Sequence, residues 1–367
     1  RNCQNHLRVY RSTRHAMKAH RLFLTAAGIV LVSMIAMISA ARTLNPALAW
    51  RHLVYILCGM AIFWGVARTS YRRWTDVAIL VYLLALVTLV MVEVAGATRL
   101  GATRWLSLFG LSIQPSELAK LSTTLLLAQY LAGQPVPLSW RALAISLGLA
   151  GLPALLIFVQ PDLGSASVLA AIWLGMVWVA GISPRALTVL GTGFAACLPV
   201  AWHVLKGYQR DRLMAFIDPH ADPLGTGYTI IQSTIAIGSG QWWGRGWFSG
   251  TQNQLSFLPE RHSDFIFSVI GEEWGLLGCL ALIGAFGALL VDISRVALET
   301  SDPQGRLLAA GMFSWLAYQS FVNIGMVMGL LPVVGVPLPF VSFGGSSMVT
   351  LWLGLGLLEG IRRSERS

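Results

Sequence analysis

Apolar runs of about twenty residues recur along this chain, near 22–41, 52–67, 76–95, 114–131, 142–159, 165–182, 186–204, 265–291, 307–329 and 341–361. A run of that length spans the roughly 30 Å hydrocarbon core of a bilayer at about 1.5 Å per residue. Backbone groups in lipid must find hydrogen-bond partners within the protein, so each run is expected to be a helix. The expected fold is all-α and polytopic, with about ten transmembrane helices and no soluble domain. Charge agrees: 11% of the 367 residues are Asp, Glu, Lys or Arg, against roughly a quarter in soluble domains.

A net charge of +10 raises the question of a nucleic-acid partner, but the basic residues follow the membrane instead. Arg1, Arg8, Arg11, Arg14, Lys18 and Arg21 precede or open the first run. Arg68, Arg72, Arg73, Arg141, Arg185, Arg295, Arg306, Arg362, Arg363 and Arg366 are expected on the same side. The opposite short loops hold only Arg42, Arg51, Arg99 and Arg104. Both termini are therefore expected in the cytoplasm, as a basic segment 1–21 and a tail 362–367 around a transmembrane domain 22–361. One large loop, 205–264, between helices seven and eight, is expected outside. The first run exceeds the roughly 7–15 apolar residues of a signal-peptide core, so it reads as an uncleaved helix. Cys3, Cys58, Cys197 and Cys279 lack metal-type spacing and read as packing residues. No internal repeat is evident, which weakens an inverted-repeat transporter.

The candidate chemistry lies in polar islands at the outer ends of the runs. Residues 96–112 form an outer loop containing Trp105, which leads into Gln114-Pro115-Ser116-Glu117 and Lys120. Pro115 and Glu117 suit a helix start. Glu117 and Lys120 share a face, and charges so near lipid must pair or line a wet cavity. They can orient the fourth helix, border a substrate cavity, or do both. Asp162, in Gln160-Pro161-Asp162-Leu163-Gly164, stands where an N-cap would, with a cavity role open. Lys206, Arg210 and Arg212 can anchor the interface or meet a phosphate ligand. Asp218, His220 and Asp222 alternate with prolines and glycines and read as a turn before a metal site. Residues 228–239 suit an interfacial amphipathic helix. The Gly- and Trp-rich stretch 238–250 suits a flexible, lipid-proximal loop.

Asp264 closes the large loop where it re-enters the bilayer, beside Glu260, Arg261, His262 and Ser263. It can cap the next helix. Its neighbours are more polar than a cap requires, and partial desolvation at a lipid boundary makes a carboxylate a better proton acceptor near neutrality.

The late turn Val341-Ser342-Phe343-Gly344-Gly345-Ser346-Ser347 is expected to pack against the cavity without direct chemistry. Taken together, Gly101-Ala102-Thr103-Arg104-Trp105, Gln114-Pro115-Ser116-Glu117, Gln160-Pro161-Asp162-Leu163-Gly164, Tyr208-Gln209-Arg210, Asp218-Pro219, Asp222-Pro223-Leu224-Gly225, Ile237-Gly238-Ser239-Gly240, Leu258-Pro259-Glu260-Arg261-His262-Ser263-Asp264-Phe265-Ile266, Asn323-Ile324-Gly325-Met326 and Gly335-Val336-Pro337-Leu338-Pro339 resemble the SEDS family. The resemblance covers nearly all of 22–361 and is nearer to the elongation branch than to the division branch. It implies a ten-helix peptidoglycan glycosyltransferase of the bacterial inner membrane that polymerises lipid II, an undecaprenyl-pyrophosphate-linked disaccharide peptide, on the outer face during cell elongation. The essential loop aspartate of the family falls on Asp264, and its helix-four acid and base fall on Glu117 and Lys120. Arg210, Arg212 and Lys206, or a divalent cation such as Mg or Mn, would balance the departing pyrophosphate, with Asp162 and Trp105 as further substrate-binding candidates. The implied partner is a class B penicillin-binding protein transpeptidase whose membrane helix packs on the late spans. A lipid II flippase and a cell-wall scaffold are the alternatives. Polar groups gathered at outer helix ends favour the enzyme over a midplane transporter.

Overall fold

A computed structural model describes residues 20–95, 97–99, 102–108, 111–205 and 207–365. Most of the basic N-terminal segment, the last two residues of the tail, and Lys206 lie outside the described residues. The helices are α1 (Arg21–Ala41), α2 (Ala47–Ala67), α3 (Tyr71–Asp76), α4 (Ala78–Ala95), α5 (Pro115–Ala132), α6 (Trp140–Val159), α7 (Leu163–Ala180) and α8 (Pro184–Val204). In the large loop lie α9 (Gly207–Ile217), α10 (Tyr228–Gly240) and α11 (Thr251–Gln254). After it come α12 (Ile266–Glu299), α13 (Pro303–Val327) and α14 (Gly345–Ser364). The outer loop before α5 folds as an antiparallel sheet, β1 (Ala97–Arg99), β2 (Ala102–Leu108) and β3 (Leu111–Ile113), where a plain loop is expected from sequence.

Among the described residues, α1, α2, α6, α7, α12 and α13 are long and apolar enough to cross a membrane. Helices α4, α5, α8 and α14 also have at least 18 residues. The low apolarity of α5 has a physical reason: Glu117, Lys120, Ser122, Thr123 and Thr124 are all buried in the bundle, so its polar side chains meet other helices rather than lipid.

Small residues set the closest packing, as expected where lipid supplies no hydrophobic drive between helices. Gly59 of α2 lies under the Trp352 indole of α14, and Gly356 of α14 lies over the Phe63 carbonyl of α2. Caps act where the chain turns. The Ser139 hydroxyl accepts the Ala142 N–H, the Asp162 carboxylate accepts the Ser165 N–H at 3.1 Å, and Gly181 ends α7 at φ 95°.

Helix α12 is broken rather than bent. Gly275 has φ 67° and ψ −164°, a conformation open essentially to glycine alone. The backbone groups released by the break are taken up by the Gly-rich stretch of the large loop. Arg245 N–H and Gly246 N–H donate to the carbonyls of Glu272 and Glu273, and Leu276 N–H and Leu277 N–H donate to the carbonyls of Gln241 and Trp242. The approach is so close that a Cβ on Gly275 would lie 2.3 Å from Gly244 N. Where sequence suggests a flexible loop, these glycines instead dock backbone on backbone. Glu272 completes the join by accepting the Gln252 and Asn253 N–H groups at the start of α11.

Gly275→Ala is expected to destabilise the protein by about 1–3 kcal/mol from backbone strain alone, with the clash against Gly244 adding to it. Thermal unfolding in detergent, followed by tryptophan fluorescence, checks this; an unchanged midpoint contradicts the account of the break.

Candidate functional site

Asp264, the turn at Asp162, Arg212 and, through Gln319, the Glu117–Lys120 pair meet one irregular segment, 330–344, between α13 and α14. Asp264 is half-buried and precedes Phe265, the residue at the cap position of α12, which has no capping side chain. The backbone leading into it is tied down at three successive carbonyls. The Phe343 N–H donates to His262 O at 2.9 Å, the Ser342 hydroxyl to Ser263 O at 2.5 Å, and the Asn323 amide to Asp264 O at 2.9 Å. Ser342 also accepts the Leu338 N–H at 2.7 Å. Gly335, at φ 73°, lies against the carboxylate: a Cβ there would sit 3.4 Å from Asp264 Oδ2.

Upstream, Arg261 is buried, and its guanidinium donates to Ala40 O and to the Thr43 hydroxyl at 2.6 Å. A cation at the C-terminal end of α1 meets carbonyls that the helix leaves unpaired. Ser263 donates to the Glu260 carboxylate at 3.0 Å. Burial pushes the His262 imidazole below its ordinary value, against an opposing pull from Glu260.

Glu117 and Lys120 form an ion pair at 2.7 Å with both side chains 1% exposed. Lys120 lies over the Trp315 ring and donates to Gln319 Oε1 at 3.2 Å, and Gln319 donates onward to Pro337 O at 2.8 Å. The pair thus reaches the 330–344 segment through an amide. Among the described residues, Glu117 Oε2 has no hydrogen-bond partner.

Asp162 caps α7, and the turn it closes packs on the same segment: a Cβ on Gly164 would meet Val336 Cγ2 and Val334 O. Arg212, Gln209 and Leu213 of α9 line a cleft with Pro161, Leu163 and Pro332–Val334. Arg210 donates to His203 O at 2.9 Å. Trp105 is half-buried on β2. The end of the sheet is fastened to α14 by Ser346, which accepts the Gln114 N–H. Asp218 and Asp222 accept backbone N–H groups within their own turns. Among the described residues no group of three or more His, Cys, Asp or Glu side chains is placed to hold a metal ion.

Sequence reasoning counted Asn323 within a stretch that resembles the family and set the turn holding Ser342 against the cavity without direct chemistry, but it gave neither of them a role in the site and passed over Gln319. The available signal was Gln319 and Asn323 four residues apart on a membrane helix, where two amides on one face need partners.

The family described as cell cycle protein, FtsW, RodA and SpoVE, matches residues 14–367. Peptidoglycan glycosyltransferase MrdB of Escherichia coli K12 is 43% identical over 312 residues, 85% of this chain and 84% of that protein. A solved structure concerned with the coordination of polymerization and crosslinking by a peptidoglycan synthase complex aligns with TM-score 0.81 and 36% identity, over 94% of this chain and 97% of that one. The Rod shape determining protein RodA of Thermus thermophilus aligns with TM-score 0.71 and 30% identity, over 95% of this chain and 97% of that one.

Removing one partner of a buried ion pair strands the other. Lys120→Met is therefore expected to cost about 3–5 kcal/mol, and Glu117→Gln combined with Lys120→Met to recover much of it. Melting of the single and double variants in detergent decides the matter; a double variant as unstable as the single contradicts it.

Proposed function

This chain belongs to the SEDS family of FtsW, RodA and SpoVE proteins, and we propose that it polymerises lipid II at the outer membrane face with Asp264 as general base. It is a multi-pass membrane protein and a peptidoglycan glycosyltransferase. The observation that carries the assignment of the base is the fixing of Asp264: three successive carbonyls of its loop are held by separate donors while the carboxylate lies at the edge of the 330–344 segment. Structure invested around one acidic side chain is what a reacting group needs, since misplacement by about 1 Å costs on the order of a hundredfold in rate.

The acceptor sugar presents its 4-hydroxyl to Asp264, which takes the proton as the oxygen attacks the anomeric carbon of the donor. The new O4–C1 bond forms as the C1–oxygen bond to the polyprenyl pyrophosphate breaks, with inversion. Pyrophosphate leaves readily once its charge is met, so one carboxylate suffices where glycosidases use two. Arg212, in the cleft on the Asp162 side of the segment, and Arg210 and Lys206 on the same stretch of chain supply cations for that charge. Glu117 and Lys120 act on the site's walls from inside the bundle.

The relationship to a synthase complex that couples polymerization to crosslinking supports a transpeptidase partner of the class B penicillin-binding type. Leu280 and Ile283 of α12 and Phe321 of α13 are exposed apolar residues on the late helices, where a partner's membrane helix would pack.

General-base catalysis is typically worth about 10²–10⁴-fold, so Asp264→Asn should reduce glycan synthesis by that order while leaving the protein folded. Purified protein with labelled lipid II in detergent gives the readout. Wild-type polymer from Asp264→Asn removes this residue from the mechanism, and no polymer from the wild type returns the field to a flippase or scaffold.

A further inference from the structure

Asn323 lies on α13, far from Asp264 in sequence and fully buried, 0% exposed. Its side-chain nitrogen donates to Asp264 O at 2.9 Å and to Val336 O at 2.7 Å, which uses both amide protons. One carbonyl belongs to the residue that bears the working carboxylate. The other belongs to the residue after Gly335, which lies against that carboxylate. A single amide therefore locks the loop carrying Asp264 to the segment facing it. One helical turn away, Gln319 holds the next carbonyl of that segment, Pro337 O. Within α12 the Ser268 N–H donates to Phe265 O, so the helix takes up its first carbonyl one residue beyond Asp264.

We propose that Asn323 is a positioning residue for the transfer reaction, fixing the Asp264 peptide so that its carboxylate meets the acceptor hydroxyl. This rests on the reading of Asp264 as the base. The physical reason lies in the geometry of the backbone. The direction of the Asp264 side chain is set at its Cα, and rotation of the peptide that follows swings that atom while leaving the helix intact. Two hydrogen bonds from one buried amide oppose the rotation, and nothing about substrate affinity requires them.

The test uses the full-length protein in detergent, with turnover and KM measured against lipid II for Asn323→Leu, Asp264→Asn and the double variant. Asn323→Leu is expected to lower kcat by about 10–100-fold, with KM changed less than about threefold. On the Asp264→Asn background the same substitution should cost nothing further, because the group it positions is already gone. A role in general stability would instead multiply the two losses. Wild-type kcat for Asn323→Leu, or multiplicative losses, overturns the proposal while leaving the base assignment standing. Wild-type kcat for Asp264→Asn overturns the base assignment and this inference with it. If Asn323→Leu does not fold, Ser342→Ala carries the same test at the neighbouring carbonyl, Ser263 O. It should show a smaller loss confined to kcat that vanishes on the Asp264→Asn background, and its failure to do so overturns the proposal.

Discussion

A backbone amide or carbonyl cut off from water has to be paired within the protein, and an uninterrupted helix meets that need by itself. A site for chemistry cannot be built from uninterrupted helices alone, because their backbone is already used and their side chains face lipid or one another. The proposed site of this protein lies where helices stop, and the stops are bridged by donors and acceptors from elsewhere in the chain. At Gly275 the bridge is backbone to backbone, between the break in α12 and residues 241–246. At the 330–344 segment it is side chain to backbone, through Gln319, Asn323 and Ser342.

The two solutions differ in what they permit. Backbone pairing demands glycine at the point of contact, since Gly240, Gly244 and Gly275 all lie where a Cβ would run into main-chain atoms. The break is therefore closed by main chain packed directly on main chain. Amide and hydroxyl side chains reach farther, so the 330–344 segment can bury Val336, Leu338, Phe340 and Val341 in the core and still leave a cleft at Arg212, with Asp264 Oδ2 beside Gly335. The buried pair of Glu117 and Lys120 contributes through the same chain of contacts. A desolvated ion pair is weak evidence for stability but strong evidence for geometry, because its partners cannot drift apart without exposing an uncompensated charge. Here that geometry is passed by Gln319 to Pro337.

Helix positions were legible from apolar runs, to within several residues at most ends, because hydrocarbon thickness fixes their length. Asp264, Asp162, Arg212 and the Glu117–Lys120 pair were legible as polar residues in costly places. What sequence withheld was the joining of distant pieces. That Asn323 serves the carbonyl of residue 264, or that Gly244 meets Gly275, depends on tertiary contact, and no local period or motif encodes it. The sheet at 97–113 was missed for another reason: its strands are short, and Leu106 alone among its described side chains is buried, so alternation along the strands is too brief to stand out.

On the proposed function, a substrate carried on a polyprenyl tail would arrive from within the bilayer while its sugars remain in water, so the reacting atoms would meet the protein at the level where helices end. A carboxylate on a free loop at that level would wander by several ångströms, and one in mid-helix would face lipid or the packed bundle. The arrangement around residue 264 is neither: the chain there is irregular and half-buried, and its carbonyls are held by the Asn323 amide of α13 and by Ser342 and Phe343 of the segment that leads into α14. Rigidity is thus borrowed from the membrane helices and delivered at their rim. The polar residues of α13, which are costly in a span of 25 residues, are there because the rim needs them.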